Sequence, residues 1–171
     1  MRKKLGLVAG FLILLVVAAY WGFDKLGGNN PISIQKIDAN PESLAGKTYS
    51  GIPQDEKLAL IFKEMETQKG LHPGTFIHTI YEVEPAGKLD TMVAFVGINQ
   101  ALPSVDLEFK KFQEKSYLLA KITGNRWVMP SPDTVKEELT NFAKENSHTL
   151  SGIFIDKIIS EEEVYVIAPI R

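Results

Sequence analysis

Apolar residues fall into three kinds of pattern along the chain. Residues 5–23, LGLVAGFLILLVVAAYWGF, are uninterrupted by charge and have no polar face. As a helix they would reach about 28 Å, close to a bilayer's hydrocarbon thickness. Arg2, Lys3 and Lys4 precede this run, and Tyr20 and Trp21 stand at its far end. The expectation is one transmembrane signal anchor, with the N-terminus cytoplasmic and the rest extracytoplasmic. The membrane is then a partner through residues 5–23. The alternative is a secretory signal cleaved near Ala19, after Val17-Ala18. Gly27-Gly-Asn-Asn-Pro31 reads as a turn-rich linker spanning residues 24–31.

Two stretches carry a helical stripe. Pro53 to Lys69 places Leu58, Ile61, Phe62 and Met65 on one side, with Pro53 suited to a first turn and Gly70 to the close. The second stretch begins at Ser131-Pro132-Asp133, with Ser131 as N-cap, and aligns Val135, Leu139, Phe142 and Ala143. The remaining pattern is that of short strands: Ile32–Ile37, Lys47–Ser50, Thr75–Val83, Leu89–Ile98, Leu107–Phe112, Tyr117–Thr123, Ile153–Ile159 and Val164–Ile170. Turns are expected at Glu84-Pro-Ala-Gly87 and Glu161–Glu163, and a proline-containing connector at Gln100–Asp106.

The order is strand-strand-helix-strand-strand, twice. Gly51 and Gly124 lie 73 positions apart, Gly74 and Gly152 lie 78, and Phe62 and Phe142 lie 80. This predicts an α+β domain over residues 32–171 built from a duplicated module, with halves of about 32–100 and 101–171.

Composition sharpens that picture in two ways. The whole chain carries 19 basic and 21 acidic residues, a net of −2. Removing Arg2, Lys3 and Lys4 leaves 16 against 21, so the domain is acidic at −5 and no nucleic-acid partner is expected. The absence of cysteine excludes disulfides, thiolate metal sites and a thiol nucleophile. His72, His78 and His148 match no metal spacing, and no G-x-S-x-G, P-loop or GxGxxG occurs. No catalytic residue, metal or cofactor is therefore assigned.

Four short segments carry a likeness: Tyr49-Ser-Gly51-Ile-Pro53, Ile80-Tyr81-Glu82-Val83-Glu84-Pro85, Ala120-Lys-Ile-Thr-Gly124 and Val164-Tyr-Val-Ile-Ala-Pro169-Ile170. In this order they resemble the gyrase-inhibitor-like (GyrI-like) effector-binding domains of bacterial transcription activators, in a membrane-anchored version without a DNA-binding domain. The resemblance implies a pseudo-twofold domain whose groove takes amphipathic, often cationic, compounds. Aromatic side chains stack on the ligand, and a buried glutamate on the penultimate strand balances its charge. Here that strand reads Gly152-Ile-Phe-Ile-Asp-Lys-Ile158, with Phe154 or Ile155 at the equivalent position and Asp156 as a substitute only if it points inward.

The expected function is binding of a hydrophobic or amphipathic small molecule without catalysis. Tyr81, Phe95, Tyr165, Trp127 and Phe154 are the candidate ligand-binding residues, Trp127 either at an exposed rim or capping the core. One alternative is an envelope protein-interaction module with a degenerate groove. A further alternative is a small-molecule hydrolase using Tyr81 and Glu82, although successive strand residues face opposite sides of a sheet.

Overall fold

A computed structural model describes residues 2–85, 87, 89–100 and 106–171, with side chains from residue 11 onward. Its elements are α1 (Arg2–Lys25), β1 (Ser33–Ile37), β2 (Leu44–Gly51), α2 (Glu56–Leu71), β3 (Ile77–Val83), β4 (Met92–Asn99), β5 (Glu108–Lys110), β6 (Ser116–Thr123), α3 (Pro132–Glu145), β7 (Ile155–Ser160) and β8 (Glu163–Ile170). The expected alternation of strands and helices is therefore present. Most of the Gln100–Asp106 connector and part of the Glu84–Gly87 turn lie outside the described residues.

Local chemistry explains both domain helices. Ser131 has extended backbone angles, and its Oγ accepts from Thr134 N at 3.2 Å, with Pro132 in the first turn. In α2 the cap is Asp55, whose carboxylate accepts from Lys57 N at 2.9 Å. Pro53 thus lies before the helix rather than in its first turn, because the carboxylate serves an orphan N–H that proline cannot. Gly70 lies within α2, and the stop comes at His72, followed by a left-handed Gly74 (φ 89°).

All eight strands form one antiparallel sheet, in the order β1-β6-β8-β7-β3-β4-β2-β5. The order is symmetric about the β7–β3 pair. Each module's first strand pairs with the second strand of the other module: β1 with β6, and β5 with β2. Helix α2 packs Met65 on Ile77, Val96 and Ile98, while α3 packs Val135, Leu139 and Ala143 on Leu118, Ala120, Val166 and Ala168. Strand register places both sets on the same face.

The other face is covered by neither α2 nor α3, yet it is buried. Leu44, Ile80, Phe95, Phe112, Leu119, Ile155 and Ile167 form one cluster there, flanked by Ile37, Tyr117 and Tyr165. The Phe95 ring lies against backbone: a Cβ on Gly97 would meet it at 2.8 Å and the Ala45 carbonyl oxygen at 2.6 Å. Lys110 Nζ covers the ring at 5.0 Å and pairs with Glu82 at 2.7 Å.

Helix α1 forms, and its end is fastened to the domain. Asn125 N donates to Leu26 O at 2.7 Å, and Asn30 Nδ2 to Thr123 O at 3.0 Å. The membrane expectation is corrected, however. Among the described residues no helix is long and apolar enough to cross a membrane. The single-pass localisation and its orientation fall with that finding.

The packing at Phe95 yields a paired prediction. Gly97→Ala must displace backbone or the Phe95 ring and should cost about 1–3 kcal/mol. Gly70→Ala meets nothing within 4 Å and should gain about 0.5–1 kcal/mol from helix propensity. Urea unfolding of the two variants should therefore move in opposite directions, and equal midpoints would contradict the packing described.

Candidate functional site

Helix α2 lies over β2, β3 and β4 and α3 over β6 and β8, so the part of the central β3–β7 pair that carries Tyr81 and Asp156 lies in a cleft between the helices. Its register sets Thr79 opposite Asp156 and Ile77 opposite Ile158. Residues two apart share a face, so Thr79, Tyr81, Asp156 and Ile158 all point to the helix side. Phe154 immediately precedes β7 and packs against the α3 core.

Asp156 is the chemically distinctive group. Its carboxylate accepts one long hydrogen bond, from Thr79 Oγ1 at 3.4 Å, and makes no direct ion pair among the described residues. Burial pushes its pKa up, against the opposing charge of Lys136 and the Thr79 hydroxyl. Tyr81, 40% exposed, has its phenol pKa raised by desolvation and then by the Asp156 charge. Lys136, on α3, has its pKa lowered by burial, with Asp156 acting the other way. Its ammonium stands 5.7 Å from the Phe154 ring centroid and forms an ion pair with Glu84.

Two hollows lie along α3. Ile122, Met129, Pro132, Val135, Asp156 and Val166 line a mainly apolar one of about 160 Å³. Thr140, Lys144, His148, Leu150 and Phe154 line another of about 410 Å³. The arrangement offers apolar surface, aromatic edges and one half-buried acid, with the Lys136 cation over the Phe154 ring.

The expected ligand residues divide between the faces. Tyr81 and Phe154 border the cleft. Phe95, paired with Thr48 and Ile80, points to the opposite face and is fully buried. Tyr165 shares that face, its hydroxyl donating to Glu163 at 2.7 Å while Lys121 lies 5.2 Å from its ring. Trp127 is 80% exposed in the loop before α3, with the Arg126 guanidinium 4.9 Å from its ring. It does not cap the core. Glu82 is on the face away from Tyr81, engaged by Lys110.

Sequence reasoning missed Lys136 and left Asp156 conditional. Ile155-Asp156-Lys157-Ile158 has no clean alternation, so only cross-strand register settles which side Asp156 takes. A second polar group was also missed. His78, 1% exposed, lies on the face opposite the cleft, with Nδ1 2.9 Å from Phe76 O and Nε2 3.7 Å from Glu42. Glu42 in turn accepts from Lys157 at 2.5 Å and Asn99 at 2.9 Å. This cluster ties the two modules together, with Lys157 from one and His78, Asn99 and Glu42 from the other.

No family model matches the sequence, and no curated protein matches it. Solved structures do. An uncharacterized conserved protein from Listeria innocua aligns with a TM-score of 0.58 at 6% identity, covering 81% of this chain and 92% of that one. A hydrolase from Listeria innocua aligns equally well, at 0.58 and 6% over 81% and 92%. The C-terminal domain of EcmrR aligns at 0.54 with 12% identity, over 82% of this chain and 97% of that one. These neighbours support the expected α+β fold. At such identities the likeness is one of fold alone.

The Glu42 cluster makes the domain acid-sensitive in a defined window. The His78 ring, followed by Lys157, holds the Glu42 pKa at about 2, below its ordinary 4.5, against the opposing effect of partial burial. A depressed carboxyl contributes stability above its unfolded pKa and loses it as pH falls towards the folded value. Thermal melts between pH 5 and pH 2 should therefore show a smaller acid-induced loss in Glu42→Gln than in the parent. Parallel curves would rule out this contribution.

Proposed function

We propose that the domain binds a small apolar or amphipathic molecule, without catalysis, in the cleft between α2 and α3. The observation that carries this reading is Asp156, an underpartnered carboxyl at the edge of an apolar hollow and beside the exposed edge of Tyr81. A half-buried carboxylate with one long hydrogen bond has capacity left for a ligand. The apolar wall of Ile122, Met129, Val135 and Val166 supplies the non-directional part of the affinity. Tyr81 and Phe154 provide aromatic contact. The smaller hollow suits a ring or short chain, with the remainder of the molecule lying along Phe154 and Thr140.

Phe95 and Tyr165 serve the opposite face instead, where the sheet's own side chains fill the space a ligand would need. Trp127 supports a second reading for a different surface. An indole 80% exposed on a loop is a ready contact for a protein partner.

A thermal-shift screen of the full chain against uncharged and amphipathic aromatic compounds tests the first reading. A ligand at about 100 times its Kd stabilises by about 2.7 kcal/mol, which is roughly 5–10 °C for a chain of this size. Tyr81→Ala should abolish the shift. Phe95→Ala should lower the melting temperature of the free protein while leaving the ligand-induced shift in place. A shift lost with Phe95 and kept without Tyr81 would move the site to the other face. No shift with any compound would reject binding and leave Trp127-dependent co-purification as the test of the second reading.

A further inference from the structure

The position of Lys136 bears on which head group the cleft accepts, an inference that rests on the binding site proposed above. Lys136 extends from the inner side of α3 into the cleft, and 22% of its side chain is exposed. Its ammonium is held at two points: the Phe154 ring lies 5.7 Å away, and the Glu84 carboxylate pairs with it directly. An aromatic face with a nearby carboxylate is the arrangement that recognises an organic cation. Here the chain supplies that cation itself, over the Phe154 ring that borders the larger hollow.

We propose that Lys136 is the specificity-determining residue of the cleft: it occupies the position of a cationic head group, so the domain accepts uncharged amphiphiles and excludes lipophilic cations. Two physical arguments carry this. A second cation placed over Phe154 would meet the Lys136 ammonium at short range in a partly desolvated site, where like charges repel strongly. Displacing Lys136 is also unfavourable, because it breaks the Glu84 ion pair and strips Phe154 of its cover. An uncharged ligand meets neither obstacle. It can fill the hollow beside Val135 and Val166 and donate a hydrogen bond to the free capacity of Asp156, with Lys136 left in place.

The consequence for substitution is specific. Removing the ammonium while keeping the stem leaves Asp156 and Phe154 facing an empty position that a ligand cation can take. Lys136→Met does this with little change of length, and Lys136→Gln is the alternative if Met perturbs folding. Lys136→Arg keeps the charge and should keep the exclusion.

The experiment is fluorescence titration of the full chain with N-phenyl-1-naphthylamine, which is uncharged, and ethidium, a lipophilic cation. The parent protein should bind the first and show at least tenfold weaker binding of the second. Lys136→Met or Lys136→Gln should gain tenfold or more in ethidium affinity, with the uncharged probe changing by less than threefold. Adding Asp156→Asn to Lys136→Met should reverse the ethidium gain. Unchanged ethidium affinity in both Lys136 variants, with the uncharged probe still bound, would overturn the role of Lys136 and leave the cleft as a binding site. Failure of both probes with every variant would instead overturn the binding site itself, and this inference with it.

Discussion

The antiparallel register between β3 and β7 is the constraint on which the rest of the molecule depends. It is the one strand pairing at the centre of the sheet, and it joins the two modules. By setting Thr79 opposite Asp156 and His78 opposite Lys157, it sorts every polar group of the centre onto one face or the other. A shift of one residue would turn Asp156 towards Leu44 and Phe95 and carry His78 under the helices. The buried apolar residues of the pair, Ile77, Ile80 and Ile155, make such a shift costly, because each fills a cluster on its own side.

The two faces then solve different problems. On one, the sheet's own aliphatic and aromatic side chains supply the cover, and Phe95 is pressed onto Gly97 with Lys110 above it. That face is closed by packing and by the Glu42–His78–Lys157 contacts. On the other, the helices bury Ile77 and Thr79 along with the outer strands, while Tyr81, 40% exposed, meets solvent at the interhelical cleft beside Asp156. Openness in this fold follows from where the helices stop, and, among the described residues, no third element lies over Tyr81.

The elements were legible in the sequence because their signals are local. Ser131-Pro132 announces a helix start through the same hydroxyl-to-backbone bond that the structure shows. The duplication was visible in the spacing of Gly51 and Gly124. The site was less legible, and the reason is physical. Tyr81 and Phe95 each alternate correctly within their own strands, yet β3 pairs with β4 so that Tyr81 meets Ala94, which puts the two rings on opposite faces. No pattern within one strand contains that information. Lys136 was hidden for a related reason: on a helix wheel it reads as a solvated neighbour of Val135, and only the docking of α3 on the sheet brings it to Phe154. The N-terminal run shows the converse. Its uniform apolarity makes a helix easy to read, and a helix forms over Arg2–Lys25, but the described residues contain no helix long and apolar enough to span a bilayer.

The exchange of β1 and β5 between modules has a consequence for how the chain holds together. Each module lends its first strand to the far edge of the other, so the domain is in effect a swapped dimer whose two copies share one backbone. Closing it requires β1 to find β6 across more than eighty intervening positions, a non-local step of the kind that slows folding. A single module cut free would carry a strand with no home and an edge with no cover. Two such fragments would be expected to recombine, each completing the other, as separate chains rather than as one.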